Sequence, residues 1–192
     1  MVNETVGCTS GDERACVIRL GISTCLLGEN VRYDGGHKLD RFLANTLGRY
    51  VEWVPVCPEV EIGLPIPRET LRLVGDPEAP RLVTLKSGQD HTERMISWAR
   101  ERLEGLTETQ IHGFIFKRGS PSSGLYRVKV YTEEGMPSHI GTGIFPREVI
   151  KRFPLLPLEE EGRLHDMHLR ENFFDRVFAY YRWTNLLREN PT

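Results

Sequence analysis

Most of the short motifs that would settle a function at once are missing from this 192-residue chain. There is no Gly-x-x-x-x-Gly-Lys-Ser/Thr phosphate loop, no Gly-x-Gly-x-x-Gly turn and no Gly-x-Ser-x-Gly elbow, which argues against nucleotide hydrolysis, dinucleotide binding and serine-esterase chemistry. Charge of one sign is also lacking, since 25 basic residues stand against 27 acidic ones for a net charge of -2. The total therefore advertises no nucleic acid, although a local basic face is compatible with it. The longest apolar runs fall far short of the roughly 20 residues that span a bilayer, and the N-terminus has neither the basic nor the apolar block of a signal peptide. A cytoplasmic protein without a membrane segment is expected. Cysteine is scarce, with 4 residues, too few for a disulfide scaffold in a chain of this size, so thiol chemistry or metal binding is favoured over cross-linking. No Cys-x-x-Cys or His-x-x-x-His pair occurs, so a zinc centre ranks last, and His112, His139, His165 and His168 read as ordinary core or surface histidines.

What is present describes an ordinary globular chain of 39% hydrophobic and 27% charged residues. Residues 1–15 are short, polar and aperiodic and read as a flexible tail, which makes Cys8 and Cys16 weaker site candidates. Residues 16–192 are expected to form a single α/β domain. Val17 to Ser23, Val51 to Val56, Leu71 to Val74, Arg81 to Leu85, Gly113 to Lys117 and Arg127 to Tyr131 read as strands. Leu39 to Tyr50, Asp90 to Leu103, Pro146 to Arg152 and Leu169 to Leu187 read as helices. The segment Leu158 to Arg163 reads as a polar connection. The alternation predicts a three-layer, Rossmann-like open sheet with helices on both faces. The stripe Leu169, Phe173, Val177, Tyr180, Tyr181, Leu187 is expected to be packing or docking surface rather than a base-stacking platform.

Ligand crevices of open α/β sheets lie outside the carboxyl ends of the strands. Two cysteines fall at such ends, Cys25 after the first strand and Cys57 after the second. A thiol beside exposed backbone amides suits a nucleophile or a metal ligand, while a buried free cysteine is as often a small apolar residue. Beyond Cys25, the residues Arg32, Asp34, His37 and Lys38 crowd charge around Gly35-Gly36, which forms either a ligand loop or a solvated cap. Pro58 stops the strand after Cys57, and Glu59 is close enough to serve as acid, base or hydrogen-bond acceptor. Arg68, on a stiff loop after two prolines, suits an anionic or carbonyl group. The third strand runs into Lys117-Arg118-Gly119-Ser120-Pro121-Ser122-Ser123-Gly124, a turn of small hydroxyl residues and no thiol.

Together, Cys25-Leu26-Leu27-Gly28, Val31 to His37, Val56-Cys57-Pro58-Glu59 and Ser120 to Gly124 resemble, in order and spacing, the iron–sulfur desulfidases that act on thiouracil or on 4-thiouridine in tRNA, a family long catalogued as a domain of unknown function. The resemblance runs from about Val17 to Trp183. It implies a 4Fe–4S cluster held by three cysteines, one per strand-end loop, with the fourth iron open to accept sulfur while water replaces it on the pyrimidine, without net redox change. Carried onto this chain, the metal positions are Cys25, Cys57 and Ser123, the last standing where family members have the third cysteine. A serine hydroxyl is a hard, high-pKa ligand, so weakened or lost cluster binding is the favoured expectation, beside a cluster held by two thiolates and an oxygen and one in which Cys8 or Cys16 folds over as the third ligand. The same resemblance makes Glu59 the proton-transfer residue and Ser120 a water- or substrate-positioning hydroxyl, with Ser23, Arg32, Asp34, Lys117 and Ser122 around the substrate. The implied partner is a thiolated pyrimidine or thiolated tRNA. Residues 158–180 look like the longer members that carry an extra C-terminal domain, which a chain ending at Thr192 is expected to lack. The alternative is a non-catalytic small-molecule or RNA-binding module that keeps the pocket without the cluster.

Overall fold

The computed structural model describes residues 17–132 and 134–190. Four strands make a wholly parallel sheet: β1 (Arg19–Ser23), β2 (Glu52–Val56), β5 (Phe114–Phe116) and β8 (Leu158–Glu160), in the order β2-β1-β5-β8. The first crossover leads from β1 to β2 on one side, and the chain then returns past β1 to place β5 on the other. That reversal creates a topological switch point between the carboxyl ends of β1 and β5, where crevices of this fold class form.

Both faces are covered, so the strands are apolar on both sides. On one face Phe114 and Phe116 pack with Ala99, Leu103 and Leu106 of helix α2 (Thr92–Thr109) and with Phe145 and Val149 of helix α3 (Ile144–Arg152). On the other, Leu20, Ile22 and Ile115 meet Leu43 and Leu47 of the β1–β2 crossover, and Phe173 and Val177 of helix α4 (Met167–Glu189). Gly21 is what lets β1 and β5 sit flush: a Cβ there would lie 2.1 Å from the Phe114 ring.

A second sheet, absent from the expectation, stands beside the first. Strands β3 (Leu71–Val74), β4 (Arg81–Thr84), β6 (Val128–Tyr131) and β7 (Pro137–Gly141) order as β4-β3-β6-β7. The β3–β4 hairpin interrupts the chain between β2 and α2, and the antiparallel pair β6–β7 interrupts it between β5 and α3. Leu71, Leu73, Leu82, Val128 and Val130 pack on Met95 of α2 and Ile144 of α3, so the same two helices serve both sheets.

Three local readings change. The helix expected over 39–50 is a π-helical turn, Phe42–Thr46, followed by a 3-10 turn, Leu47–Arg49. Asn45, Thr46 and Gly48 are poor helix formers within two turns, and the Gly48 backbone lies against the Trp53 indole. Residues 158–160 are a fully buried edge strand rather than a polar connection. In the terminal helix only Phe173 and Val177 of the proposed stripe are buried, while Leu187 is 52% exposed. Asp166 caps that helix by accepting the Leu169 N–H at 3.1 Å. Cys8 and Cys16 lie outside the described residues. Among the described residues no helix is long and apolar enough to cross a membrane.

Candidate functional site at the strand ends

A cavity of about 400 Å³ opens at the switch point, lined by the three segments that follow β1, β2 and β5. It gathers Cys25, Cys57, Glu59, Ser120, Ser122 and Ser123 from stretches nearly 100 residues apart, together with Ser23, Arg32 and Lys117. Each arrives by a different local device. Ser23 ends β1, and its Oγ accepts the Lys117 N–H at 2.9 Å, which ties the ends of β1 and β5 together. Cys25 follows within a 3-10 turn, Thr24–Leu27, that closes on Gly28 in the left-handed region at φ 96°. Cys57 precedes a short helical turn, α1 (Pro58–Glu61), with its N–H donated to the Glu61 carboxylate at 3.0 Å.

The polar residues form one connected chain. Arg68 Nε donates to Glu59 Oε2 at 2.7 Å, and its Nη2 lies 2.6 Å from the same oxygen. The Arg68 side chain is 4% exposed and that of Glu59 15%, so this is a buried pair. Ser122 Oγ donates to Glu59 Oε1 at 2.6 Å. Ser120 Oγ lies 2.9 Å from Ser122 Oγ, and because the Ser122 proton is committed to the carboxylate, Ser120 is the donor. Ser120 in turn accepts the Ser123 N–H at 3.2 Å. The direction of donation therefore runs from the serine loop to Glu59. Removal of a proton from a group at Ser120 would be relayed along it to the carboxylate.

Both thiols are held in their neutral form. Burial pushes Cys25 up to about 11, with the neighbouring Cys57 acting in the same sense and Lys117 and Arg32 against it. Burial also raises Cys57, partly offset by a backbone hydrogen bond from Val60. Thiolates would thus need a positive partner to form here.

Asp34 and His37 do not line the cavity; His37 Nδ1 accepts the Leu39 N–H at 3.1 Å, and Asp34 is held within its own turn. Its carboxylate accepts from the Gly36 N–H at 3.1 Å and from Arg32 Nη2 at 3.3 Å, interactions that hold it below the usual carboxylate range, the Gly36 bond foremost. Its partner Arg32 does line the cavity. Sequence reasoning missed Glu161, which pairs with Lys117 and accepts the Arg118 N–H at 2.7 Å, and it missed Thr24 and Thr70 in the lining. The glutamates of 159–161 read as part of a polar connection, and only the pairing of β8 with β5 shows the first two at the sheet edge with Glu161 directly after them.

The donor set can be compared with what a 4Fe–4S cluster asks for. Among the described residues, Cys25 and Cys57 are the free thiols, and no group of three His, Cys, Asp or Glu side chains gathers as metal ligands. The third loop contributes the buried Ser123. Two soft donors and one hard hydroxyl do not fit a cluster held by three thiolates.

An open parallel sheet with thiols, a carboxylate–serine chain and a basic rim at its switch point defines an α/β protein with a preformed small-molecule crevice. Residues 20–161 match the sequence model of the 2-thiouracil desulfurase family, and the chain belongs to that family. Among solved structures, the 4Fe–4S-dependent thiouracil desulfidase TudS is similar, at 30% sequence identity and a TM-score of 0.64, over 81% of this chain and 98% of that one. No curated protein matches significantly.

Proposed function

We propose that the cavity binds a thiolated pyrimidine, thiouracil or 4-thiouridine, free or in tRNA, and that its chemistry is hydrolysis of the thiocarbonyl. A C–O bond forms from water, the C–S bond breaks, and the products are the oxo-pyrimidine and hydrogen sulfide, with no net change of oxidation state. The connected chain from Ser120 through Ser122 to Glu59 carries this reading. Ser120 positions the water or substrate oxygen, and the displaced proton passes by way of Ser122 to Glu59, whose carboxylate Arg68 holds in place. Arg32 and Lys117 flank the pocket and suit the electron-rich edge of the ring.

A bound cluster would bring an open iron with affinity for sulfur, and among the described residues the cavity offers two thiols and Ser123 rather than three thiolates for it. The proposal therefore includes impaired cluster retention through Ser123 in place of cysteine. Serine at that position also favours a second reading, a binding module that keeps the pocket without turnover. Anaerobic reconstitution with iron and sulfide, followed by sulfide release from 2-thiouracil and 4-thiouridine, separates the two for the natural chain and for Ser123→Cys. Release that appears or rises at least about tenfold in Ser123→Cys supports a disabled desulfidase. A loaded Ser123→Cys protein that turns over neither substrate favours the binding module and overturns the hydrolytic reading.

A further inference from the structure

The three glutamates of 159–161 are buried or half-buried at the edge of the parallel sheet, where burial of charge is costly unless each carboxylate finds donors. Glu160 is 2% exposed, and its Oε1 accepts two backbone N–H groups, from Leu125 at 2.9 Å and Tyr126 at 3.0 Å. These are the first amides after the serine loop. Glu161 holds the other end of the same loop through Lys117 and the Arg118 N–H. The loop carbonyls are engaged as well: that of Ser122 accepts from Phe145 N–H at 3.0 Å and that of Gly124 from Gly143 N–H at 2.7 Å, both at the start of α3. Just beyond, Arg127 sits at φ 53°, a conformation that a non-glycine residue adopts at a cost. A loop that leaves through a strained residue needs something to hold it, and the two bonds to Glu160 are directly before that residue.

We infer that Glu160 is a positioning residue for the reaction, fixing the exit of the serine loop so that Ser120 and Ser122 stay in line with Glu59. It touches neither the cavity nor the reacting atoms. Its effect reaches them through the backbone of 122–126, and this role rests on the hydrolytic reading above. The feature it acts on is the acceptor oxygen, because one oxygen takes both bonds. Glu160→Gln preserves an acceptor of the same reach, and Glu160→Ala removes it.

The test compares these two variants on hydrogen exchange in the protein without cofactor and on steady-state kinetics of the reconstituted Ser123→Cys background. In Glu160→Ala the Ser123 amide, whose partner is Ser120 Oγ, is expected to exchange at least about tenfold faster, while the amides of β1 and β2 keep their protection. Glu160→Gln is expected to stay within about threefold of the parent. Where turnover is measurable, kcat falls by about tenfold or more in Glu160→Ala with KM changed less than about threefold, and Glu160→Gln rescues kcat. Unchanged Ser123 exchange in Glu160→Ala overturns the inference, as does an equal loss of protection across both β1 and the loop, which would mark a general stabilising role. A Glu160→Ala protein that does not fold leaves Glu160→Asp to decide: withdrawing the carboxylate by one methylene should speed Ser123 exchange, and no change would overturn the inference. The exchange result stands whether or not any substrate is turned over, so a failure of the hydrolytic reading remains distinguishable.

Discussion

Replacing Arg68 with methionine tests how the site holds its carboxylate. Arg68 is 4% exposed and makes two contacts to Glu59 Oε2, at 2.7 and 2.6 Å. It also donates to the Val31 carbonyl at 2.8 Å. Methionine fills much of the same volume, so packing is largely kept and the loss is electrostatic. Glu59, 15% exposed, is then left as a carboxylate whose remaining contact is the Ser122 hydroxyl at 2.6 Å. Removing one partner of a buried pair costs about 3–5 kcal/mol, and the surviving Ser122 bond argues for the lower end, about 3 kcal/mol. With a urea m-value of about 2 kcal/mol/M, the unfolding midpoint falls by roughly 1.5 M. Adding Glu59→Gln to Arg68→Met removes the stranded charge and should recover about 2 kcal/mol, a coupling that a double-mutant cycle reads directly. An Arg68→Met midpoint within about 0.5 M of the parent, with no recovery in the double variant, would refute the view that this pair is buried and interdependent.

His112 is buried against the Arg19 N–H and depressed to about 4 from its ordinary 6.5, chiefly by burial. Between those values the unfolded chain binds a proton that the folded one does not, so stability present above about pH 6.5 is lost toward pH 4, by roughly 3 kcal/mol. In His112→Asn, which keeps an acceptor for Arg19, urea midpoints measured at the two ends of that range should lose this dependence. Gly143→Ala places a Cβ 2.9 Å from the Ser122 carbonyl carbon. Its backbone conformation is ordinary, so a loss of about 1–3 kcal/mol in thermal unfolding would report overpacking against the serine loop, and a neutral result would show that the loop yields. Phe173→Ala, at a position with 0% exposure, should cost about 3–5 kcal/mol in denaturant unfolding and detach α4 from the sheet.

How much of this was legible in the sequence depended on how local each signal was. Alternation and turn residues located β1, β2 and β5, and the strand-end rule then placed Cys25, Cys57 and the Ser120–Ser123 loop at one crevice. Helical periodicity started the two long helices at Asp90 and Leu169, each within two residues of the observed starts at Thr92 and Met167. Three strands of the second sheet were read as strands, but their separation into a sheet of their own was not legible, because the pairing of β3 with β6 that joins its two hairpins links residues far apart in the chain, Leu73 with Val130, and leaves no trace in local pattern. Glu159 and Glu160 were misread for a related reason. Acidic residues signal solvent unless their donors are known, and the donors, Leu125 and Tyr126 N–H and the Arg163 guanidinium, lie elsewhere in the chain or one turn on. The order of the serine chain likewise emerged only from distances. The partners of Asp34, the Arg32 guanidinium and the Gly36 N–H, were also not legible from its place in the charged turn.

The central claim is that the cavity is a desulfidase site in which Ser123 stands where a third thiolate is required. Iron and acid-labile sulfide counted per chain, on anaerobically purified and reconstituted protein, test it directly. The account predicts well under half occupancy for the natural chain and close to about four irons for Ser123→Cys. About four irons in the natural chain, or no gain on introducing the cysteine, would contradict it.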